Sequence, residues 1–330
     1  MKKEGKISLL LILIAIGLSI FIIPLVSSID YYICDDSTIC NYTTSSKNVT
    51  QAFLDINNTN NTLNFLENNT NYIINGTYSF TNVSDNDDTG IISLRAKNFT
   101  FDCNNSVFMI NNITQLGGRP HGTFINATST SNIVLKNCKV HYYGDIYDSP
   151  NLVGEVPLVA KIDDVTNLTI DNFTVTNSST GIFDIFHSRN ITIKNSNFSS
   201  NRHTLIDMSN GNNNTLFYNN VFINNTVKLT DKGRGIFGFP SQLGFPSQLG
   251  DAEQIYLNIS TNTFRDIIGW YIINVWCPTR DISNLIIENN NMTNINGIIE
   301  ICDNVTSFSF NKNNITDSVQ GVSMNQWGGI

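Results

Sequence analysis

Two aspartates, Asp184 and Asp207, are the residues whose type and spacing most directly suggest chemistry. They occupy equivalent positions in neighbouring copies of a short repeat, which would place their carboxylates about 5 Å apart. Retaining glycoside hydrolases hold a nucleophile and a general acid at this separation, and close carboxylates raise the pKa of one member. The same oxygens suit a Ca²⁺ ion. We therefore take Asp184 and Asp207 as candidate catalytic or calcium-binding residues, with Glu300 as a third catalytic carboxylate.

A repeated strand positions these residues. Short stretches with alternating apolar residues recur from Asn98-Phe-Thr-Phe to Asn284-Leu-Ile-Ile, at spacings of about 23 residues or more. Period-2 alternation indicates strands with one buried face. Strands that recur at this period, each too short to bury its face alone, are typical of a solenoid of stacked coils. The sequence therefore predicts an all-β, single-stranded parallel β-helix.

Alignment of the first strand of each coil on Asp184 gives a column with apolar neighbours on both sides. The column consists of Ser93, Asn126, Lys161, Asp184, Asp207, Gly238, Asn274, Glu300 and Met324. Alternation turns the apolar neighbours inward and the column outward. The position two residues before Asp184 is also apolar, as Ile182 is, and this leaves the opposite parity open. Two residues after the column, the same face carries Asp163, Phe186, Ser209, Trp276 and Gln326.

This predicted outer face combines aromatic rings with polar side chains. A sugar chain stacks its apolar ring faces and hydrogen-bonds its hydroxyls, so it needs both. The expected substrate-binding residues are Lys161, Phe186, Arg202, His203, Asn274 and Trp276, with Arg189 and His187 on flanking turns. The alternative is that an outward polar column serves only to keep a β-helix soluble.

Asparagine makes up 51 of the 330 residues. Corners between strands need positive φ or side chains that hydrogen-bond their own backbone, and asparagine provides both. Asparagines at equivalent corners can also form hydrogen-bonded ladders, so most are predicted to be structural. The chain also contains 22 Asn-x-Ser/Thr sequons, which are glycan acceptors if it is exported.

The N-terminus predicts export. Lys2, Lys3 and Lys6 precede an apolar run over residues 7–26. A basic flank before such a run is typical of a signal peptide or a signal anchor, and the run is long enough to span a bilayer. The chain therefore divides into a signal peptide or anchor at 1–28, a linker at 29–48 and the β-helix at 49–330. Location outside the cytoplasm follows, secreted or anchored at the cell surface by residues 7–26.

Six cysteines fit an oxidising compartment. Their places in the repeat suggest that neighbouring coils are cross-linked, and two nearby cysteines could close a small loop. The expected pairs are Cys103–Cys138, Cys277–Cys302 and Cys34–Cys40. Metal binding is the competing interpretation, but no CxxC or histidine-bearing cluster supports it.

The start of the repeat resembles a known superfamily. Residues 49–56 form a short amphipathic pattern that predicts a helix capping the first coil, and Tyr72-Ile-Ile-Asn-Gly-Thr-Tyr follows it. This arrangement, with the coils after it, resembles the pectate-lyase-like right-handed parallel β-helix proteins over about residues 49–330. The resemblance implies the fold and its right-handed winding. It leaves the activity open.

Family motifs for activity are incomplete. Pectate lyases use several calcium-binding acids with an arginine base, and no clear arginine partner follows Asp184 and Asp207. Polygalacturonases carry Asn-Thr-Asp, Asp-Asp and Gly-His-Gly in that order. Here Asp163-Asp164 comes after Arg119-Pro120-His121-Gly122, which reverses that order. Neither activity is carried over.

Composition limits the partners. The net charge is −8 and only 14% of residues are charged, so no basic stripe exists to neutralise nucleic-acid phosphates. We expect an exported β-helix protein that binds polysaccharide or glycan and that cleaves it if the carboxylates react, as a lyase or glycoside hydrolase. The alternative is a non-catalytic structural or adhesive glycosylated surface protein. A β-helix accessory protein of metal delivery would need a ligand cluster that the sequence lacks.

Overall fold

The computed structural model describes sixteen stretches of the chain. They are 30–33, 39–42, 47–48, 63–65, 68–80, 92–111, 123–143, 159–178, 181–202, 205–208, 211–227, 235–239, 256–269, 271–275, 282–301 and 305–324. The described residues form strands, turns and bends, with no helix among them. No helix within these stretches is long and apolar enough to cross a membrane.

The strands stack into a solenoid with three parallel sheets, which we call sheets A, B and C in the order that each coil visits them. Each strand pairs with the equivalent strands of the coils before and after it. In the coil that contains Asp184, the chain runs through β14 in sheet A, β15 in sheet B and β16 in sheet C; these strands are Phe183–Phe186, Arg189–Lys194 and Asn197–Ser199. The predicted all-β architecture of stacked parallel strands is confirmed.

Sheet A contains six short strands and one part of each of four longer strands. The short strands are β4 (Leu63–Phe65), β7 (Ile92–Leu94), β14, β17 (Ile206–Met208), β20 (Phe237–Phe239) and β23 (Ile273–Val275). The longer strands are β10 (Ile125–Lys136), β12 (Ala160–Asp171), β25 (Asn291–Ile301) and β27 (Asn314–Met324).

Sheets B and C complete each coil. Sheet B holds β3 (Lys47–Asn48), β5 (Asn71–Ile73), β8 (Phe99–Asp102), β15, β18 (Asn213–Tyr218), β21 (Leu257–Ser260), β24 (Ile282–Glu288), β26 (Val305–Asn311) and the second parts of β10 and β12. Sheet C holds β6 (Thr77–Phe80), β9 (Val107–Asn111), β11 (Lys139–Tyr143), β13 (Thr174–Thr176), β16, β19 (Val221–Ile223), β22 (Thr263–Ile267) and the first parts of β25 and β27. A separate antiparallel pair joins β1 (Asp30–Ile33) and β2 (Ile39–Tyr42).

Apolar side chains from all three sheets fill the solenoid. Aromatic rings stack from coil to coil, because equivalent positions of neighbouring strands place the rings within contact distance. Phe222 lies 5.0 Å from Phe198 and 4.9 Å from Phe264, measured between ring centroids, and the second pair is almost parallel. Burial of these rings, together with that of the aliphatic side chains between them, stabilises the stack of coils.

Asparagines form an exposed ladder at the corner before sheet B. Each occupies the left-handed region, with φ between 55° and 60° at Asn132, Asn167, Asn190 and Asn214, where asparagine is tolerated better than most residues. The Asn167 Nδ2 donates to Asn132 Oδ1 at 2.7 Å, and Asn190 Nδ2 donates to Asn167 Oδ1 at 2.8 Å. Asn214 Nδ2 continues the ladder to Asn190 Oδ1 at 2.8 Å.

A second ladder lies buried between sheets B and C. Asn262 Oδ1 accepts a hydrogen bond from the Asn220 backbone N–H at 2.8 Å, and Asn290 Oδ1 accepts one from the Asn262 backbone N–H at the same distance. The amide nitrogens of Asn220 and Asn290 donate to backbone carbonyls of the preceding coils, at 2.8 and 2.9 Å. These bonds satisfy buried backbone groups at the corner. The predicted structural role of corner asparagines is confirmed at both ladders.

A disulfide joins Cys103 and Cys138, whose Cα atoms are 4.8 Å apart on neighbouring coils. This predicted pair is confirmed. The predicted Cys277–Cys302 pair and the Cys34–Cys40 side chains lie outside the described residues, as do the apolar segment 7–26 and the capping helix expected over 49–56.

Candidate functional site

The outward column of sheet A follows the predicted register over most of its length. Cα pairing links Ser93 to Asn126, then Lys161, Asp184, Asp207, Gly238, Asn274 and Glu300 in successive coils. The prediction of Met324 as the last member of the column was wrong, because Ser323 pairs with Glu300 and Met324 pairs with Ile301. A one-residue slip moves a side chain to the other face of a strand, so Met324 is not in the outward column.

Burial confirms the predicted parity. Asp184 and Asp207 are partly exposed, whereas their strand neighbours, such as Phe183 and Ile185, are fully buried. Lys161 and Glu300 show the same alternation. Towards the two ends the column is covered, since Ser93, Asn126 and Asn274 are buried.

Asp184 and Asp207 lie on adjacent strands in direct register. The strand spacing places their backbones about 4.8 Å apart along the axis, and retaining glycoside hydrolases hold their two carboxyl groups about 5–5.5 Å apart. The pair can supply at most four of the six to eight oxygens that Ca²⁺ takes, so a calcium ion here would need ligands from elsewhere. Among the described residues, no group of three or more His, Cys, Asp or Glu side chains is placed to hold a metal ion.

Phe186 and Lys161 meet beside this pair. The Lys161 Nζ lies over the Phe186 ring, 5.5 Å from its centroid, in a favourable cation–π contact. Phe186 follows Asp184 by two residues and therefore lies on the same outer face. The partly exposed ring gives the site the apolar face that a sugar could stack against.

His187 joins the same cluster from the corner between sheets A and B. Its Nδ1 lies 3.2 Å from Asp163 Oδ1 on the preceding coil, and its ring meets Phe186 edge-on at 5.7 Å. Sequence reasoning placed His187 on a flanking turn and did not pair it with Asp163. The contact depends on the left-handed corner at His187, where φ is 50°, and no sequence pattern reported that geometry.

A second polar cluster lies further along the same face. Asn274 Nδ2 donates to Glu300 Oε2 at 2.9 Å. Burial and the negative charge of Glu300 raise the pKa of Tyr271, which lies just before β23. Asn274 is 0% exposed, and its Oδ1 has no hydrogen-bond partner within the described part of the chain. Sequence reasoning identified Asn274 and Glu300 but missed Tyr271.

The remaining predicted site residues are dispersed or lie outside the described stretches. Arg202 is exposed at the corner between sheets C and A, and its backbone N–H donates to Ser178 O at 2.6 Å. Arg189 is exposed at the start of sheet B. Neither lies in the outward column. The other predicted residues, for which no structure is described, are His203, Ser209, Trp276 and Gln326.

The longest intervals of sequence between strands adjoin strands of sheet A. The chain passes from sheet B to sheet C within two residues in most coils, as between β15 and β16. By contrast, residues 112–124 and 144–159 lead into sheet A, and residues 240–256 leave it.

No protein-family model and no curated protein matches the sequence. Among solved structures, the catalytic domain of a GH87 α-1,3-glucanase variant in complex with tetrasaccharides has a TM-score of 0.36 and 12% identity, over 82% of this chain and 62% of that chain. Another variant in complex with nigerose has a TM-score of 0.35 and 11% identity, over 85% and 66%. The chain thus spans less than two thirds of the length of these two structures.

Proposed function

We propose that the outer face of sheet A binds polysaccharide or glycan. The observation that carries the proposal is the in-register pair Asp184 and Asp207, partly exposed beside the aromatic ring of Phe186. Carboxylates bind sugar hydroxyls, and the ring offers an apolar stacking surface.

Cleavage is the natural extension of binding at this pair. With carboxylates about 5 Å apart, one can attack the anomeric carbon while the other protonates the leaving oxygen, which forms a covalent glycosyl-enzyme with inversion. The second carboxylate then takes a proton from a water molecule that attacks the same carbon and releases the first carboxylate, so that two inversions give net retention. Either Asp184 or Asp207 can fill either role. Glu300 lies further along the column, beyond Gly238 and Asn274, and is proposed as a binding residue, so the structure gives no support to its predicted catalytic role.

The test is a glycan panel on residues 29–330, scored for binding and for product release with and without Ca²⁺. We expect Asp184→Asn and Asp207→Asn to abolish product release and to weaken binding. The matched control is Glu288→Gln, which removes a carboxylate from the outer face of sheet B. Binding and product release that survive loss of both aspartates would remove the site assignment.

A non-catalytic structural or adhesive role is the second candidate. The observation that favours it is the exposure of sequon asparagines such as Asn177 and Asn224, on one corner of the solenoid. Glycans at these positions would coat the surface. Intact binding without product release, combined with heavy glycan occupancy, would support this role over an enzyme.

Three further properties belong to the proposal. Right-handed winding is supported by the strong handedness of parallel crossover connections. Export, by a signal peptide or by an anchor at 7–26, is supported by the basic flank and by the Cys103–Cys138 disulfide. Membership of the pectate-lyase-like superfamily is supported by the stacked parallel sheets. Secretion of the chain with loss of residues 1–28 would distinguish a cleaved signal from an anchor.

A further inference from the structure

We infer that the last described coil of the solenoid docks against the same coil of a second copy of this chain, with a two-fold axis through Ile315. The inference concerns association of the chain and does not depend on the proposed glycan site. It is carried by the exposed core side chains of this coil, by the symmetry of their positions and by the charges at two corners.

The last described coil, formed by β26 and β27, leaves inward side chains uncovered. Ile315 and Val322 are 37% and 41% exposed, and Phe308 and Phe310 are partly exposed. The residues that pair with these four in the coil before are all buried, at 0–1% exposure: Met292, Ile299, Leu285 and Ile287. A strand edge that exposes apolar side chains is a template for pairing with another chain.

The opposite end of the solenoid does not expose its core. In the first described coil, which contains β5 and β6, the side chains of Tyr72, Tyr78 and Phe80 are only 2%, 1% and 3% exposed. Head-to-tail stacking of copies would need this end to receive the last coil, and it would build an open filament. Contact between two last coils uses the same surface twice and closes as a dimer.

The inward positions of the last coil are symmetric about Ile315. Val322 follows Ile315 by seven residues and Phe308 precedes it by seven, and both pair with buried residues of the coil before. Strands of two copies that meet end to end across a two-fold axis run antiparallel, so residues equally far from the axis lie opposite each other. Ile315 then meets Ile315 of the second copy, and Val322 meets Phe308. Inward residues stay opposite inward residues, as an antiparallel register requires.

Two corners of this coil carry opposite charges on either side of the axis. Lys312 lies at the corner before the sheet C part of β27, and Asp317 lies at the corner after it. Within one chain they are about 15 Å apart along the strand, too far for an ion pair. The two-fold axis brings Lys312 of each copy beside Asp317 of the other. Two reciprocal ion pairs result, and this charge complementarity favours a second copy as the partner.

The asparagine ladder between sheets B and C ends at the same surface. The Asn290 backbone N–H donates to Asn313 Oδ1 at 3.0 Å, and Asn313 is the last member of the ladder within the described stretches. By the repeat of the ladder, the Asn313 backbone N–H faces the next layer. The axis places Asp317 of the second copy opposite Asn313, where a carboxylate can accept this hydrogen bond. Association would therefore extend the ladder by one rung.

The test is the oligomeric state of the full-length chain, kept in detergent if residues 7–26 are retained. Sedimentation over a range of protein concentrations should show a monomer–dimer equilibrium without larger species. Ile315→Glu should abolish the dimer, because it places two like charges together on the axis. Circular dichroism checks that the variant keeps the fold, which is expected because Ile315 is already 37% exposed.

Disulfide cross-linking tests the position of the axis. Mild oxidation of the Ile315→Cys variant should join two copies, because directly opposite residues of an antiparallel pair have Cβ atoms about 5 Å apart. Val319→Cys is the matched control, since Val319 is more exposed, at 77%, but lies away from the axis. It should cross-link no more than the wild type does.

Exchange of the two charges tests the corners. Lys312→Glu or Asp317→Lys alone should weaken dimerisation about two- to thirtyfold, because each change removes two exposed ion pairs. The double variant restores both pairs with their charges exchanged and should recover the wild-type affinity.

Three outcomes would overturn the inference. A chain that stays monomeric at every concentration would leave this end to another segment or to a different protein. Equal cross-linking of Ile315→Cys and Val319→Cys, or a dimer that survives Ile315→Glu, would place the contact between copies elsewhere. Assemblies that keep growing with concentration would indicate head-to-tail stacking.

Discussion

Substitution of Asn262 by alanine should show how strongly the buried ladder holds the coils together. Asn262 Oδ1 accepts from the Asn220 backbone N–H at 2.8 Å, and its Nδ2 lies 3.0 Å from Phe217 O. Alanine reaches neither atom and leaves the buried Asn220 backbone N–H without this partner. A stranded buried N–H costs about 1–3 kcal/mol, so we expect the free energy of unfolding to fall by about 1–3 kcal/mol.

The assay is denaturant unfolding followed by circular dichroism, with hydrogen exchange at the Asn220 amide as a local readout. Asn197→Ala is the matched control, because Asn197 is exposed on the outer face of sheet C. It should change stability by about 0.5 kcal/mol or less. Solenoids can unfold in parts. The denaturant midpoints of two variants are therefore compared only where the dependence of the free energy of unfolding on denaturant concentration is unchanged.

Asn262→Ser is the milder substitution that tests the same contacts if the alanine variant does not fold. The same ladder already uses serine two coils before Asn262, where Ser196 Oγ accepts from the Phe173 backbone N–H at 3.1 Å. The serine variant should therefore recover part of the lost stability. Equal losses for Asn262→Ala and Asn197→Ala, with no faster exchange at Asn220, would refute the reasoning.

Three further perturbations address other parts of the fold. Replacing Cys103 and Cys138 by serine opens a 35-residue loop and should cost about 4 kcal/mol of stability, measured by denaturation against the wild type under oxidising conditions; no loss would show that the cross-link contributes nothing. Gly269→Ala should destabilise by about 1–3 kcal/mol because φ is +138° and the new Cβ would meet a backbone oxygen at 2.5 Å; an unchanged melting temperature would contradict this. Burial raises the pKa of Asp102, but hydrogen bonds, first that from Asn137, outweigh burial and lower the pKa from 3.8. The stability that this carboxylate contributes is therefore present above pH 3.8 and lost as the pH falls below it. When the free energy of unfolding is measured against pH, Asp102→Asn should make its decrease at acid pH less steep.

The column register was predictable because its physical signal is local. Apolar residues flank Asp184 and Asp207 on both sides, and only one register buries both flanks. At the last coil the apolar flanks Val322 and Met324 surround Ser323, and misreading this short pattern by one residue placed Met324 in the column. The Cys103–Cys138 pair was predictable for the same reason, since register alone brings the two cysteines together.

Contacts that depend on corners were not predictable. The Asp163–His187 pair requires the left-handed turn at His187 and the exact path of the chain between sheets A and B. The raised pKa of Tyr271 requires its burial near Glu300. Periodicity reports which face a strand residue occupies, but it contains no information on how a corner aims a side chain.

The spacing of the exposed ladder has a consequence for how such a chain can change in length over evolutionary time. Asn190 follows Asn167 by 23 residues and Asn214 follows Asn190 by 24. Gain or loss of one whole coil preserves every ladder, the ring stack and the outward column, whereas an indel of any other size within the strands breaks all three. Duplication of one coil would thus lengthen the outward column of sheet A by one residue, so the length of this face can vary among descendants while the fold stays the same.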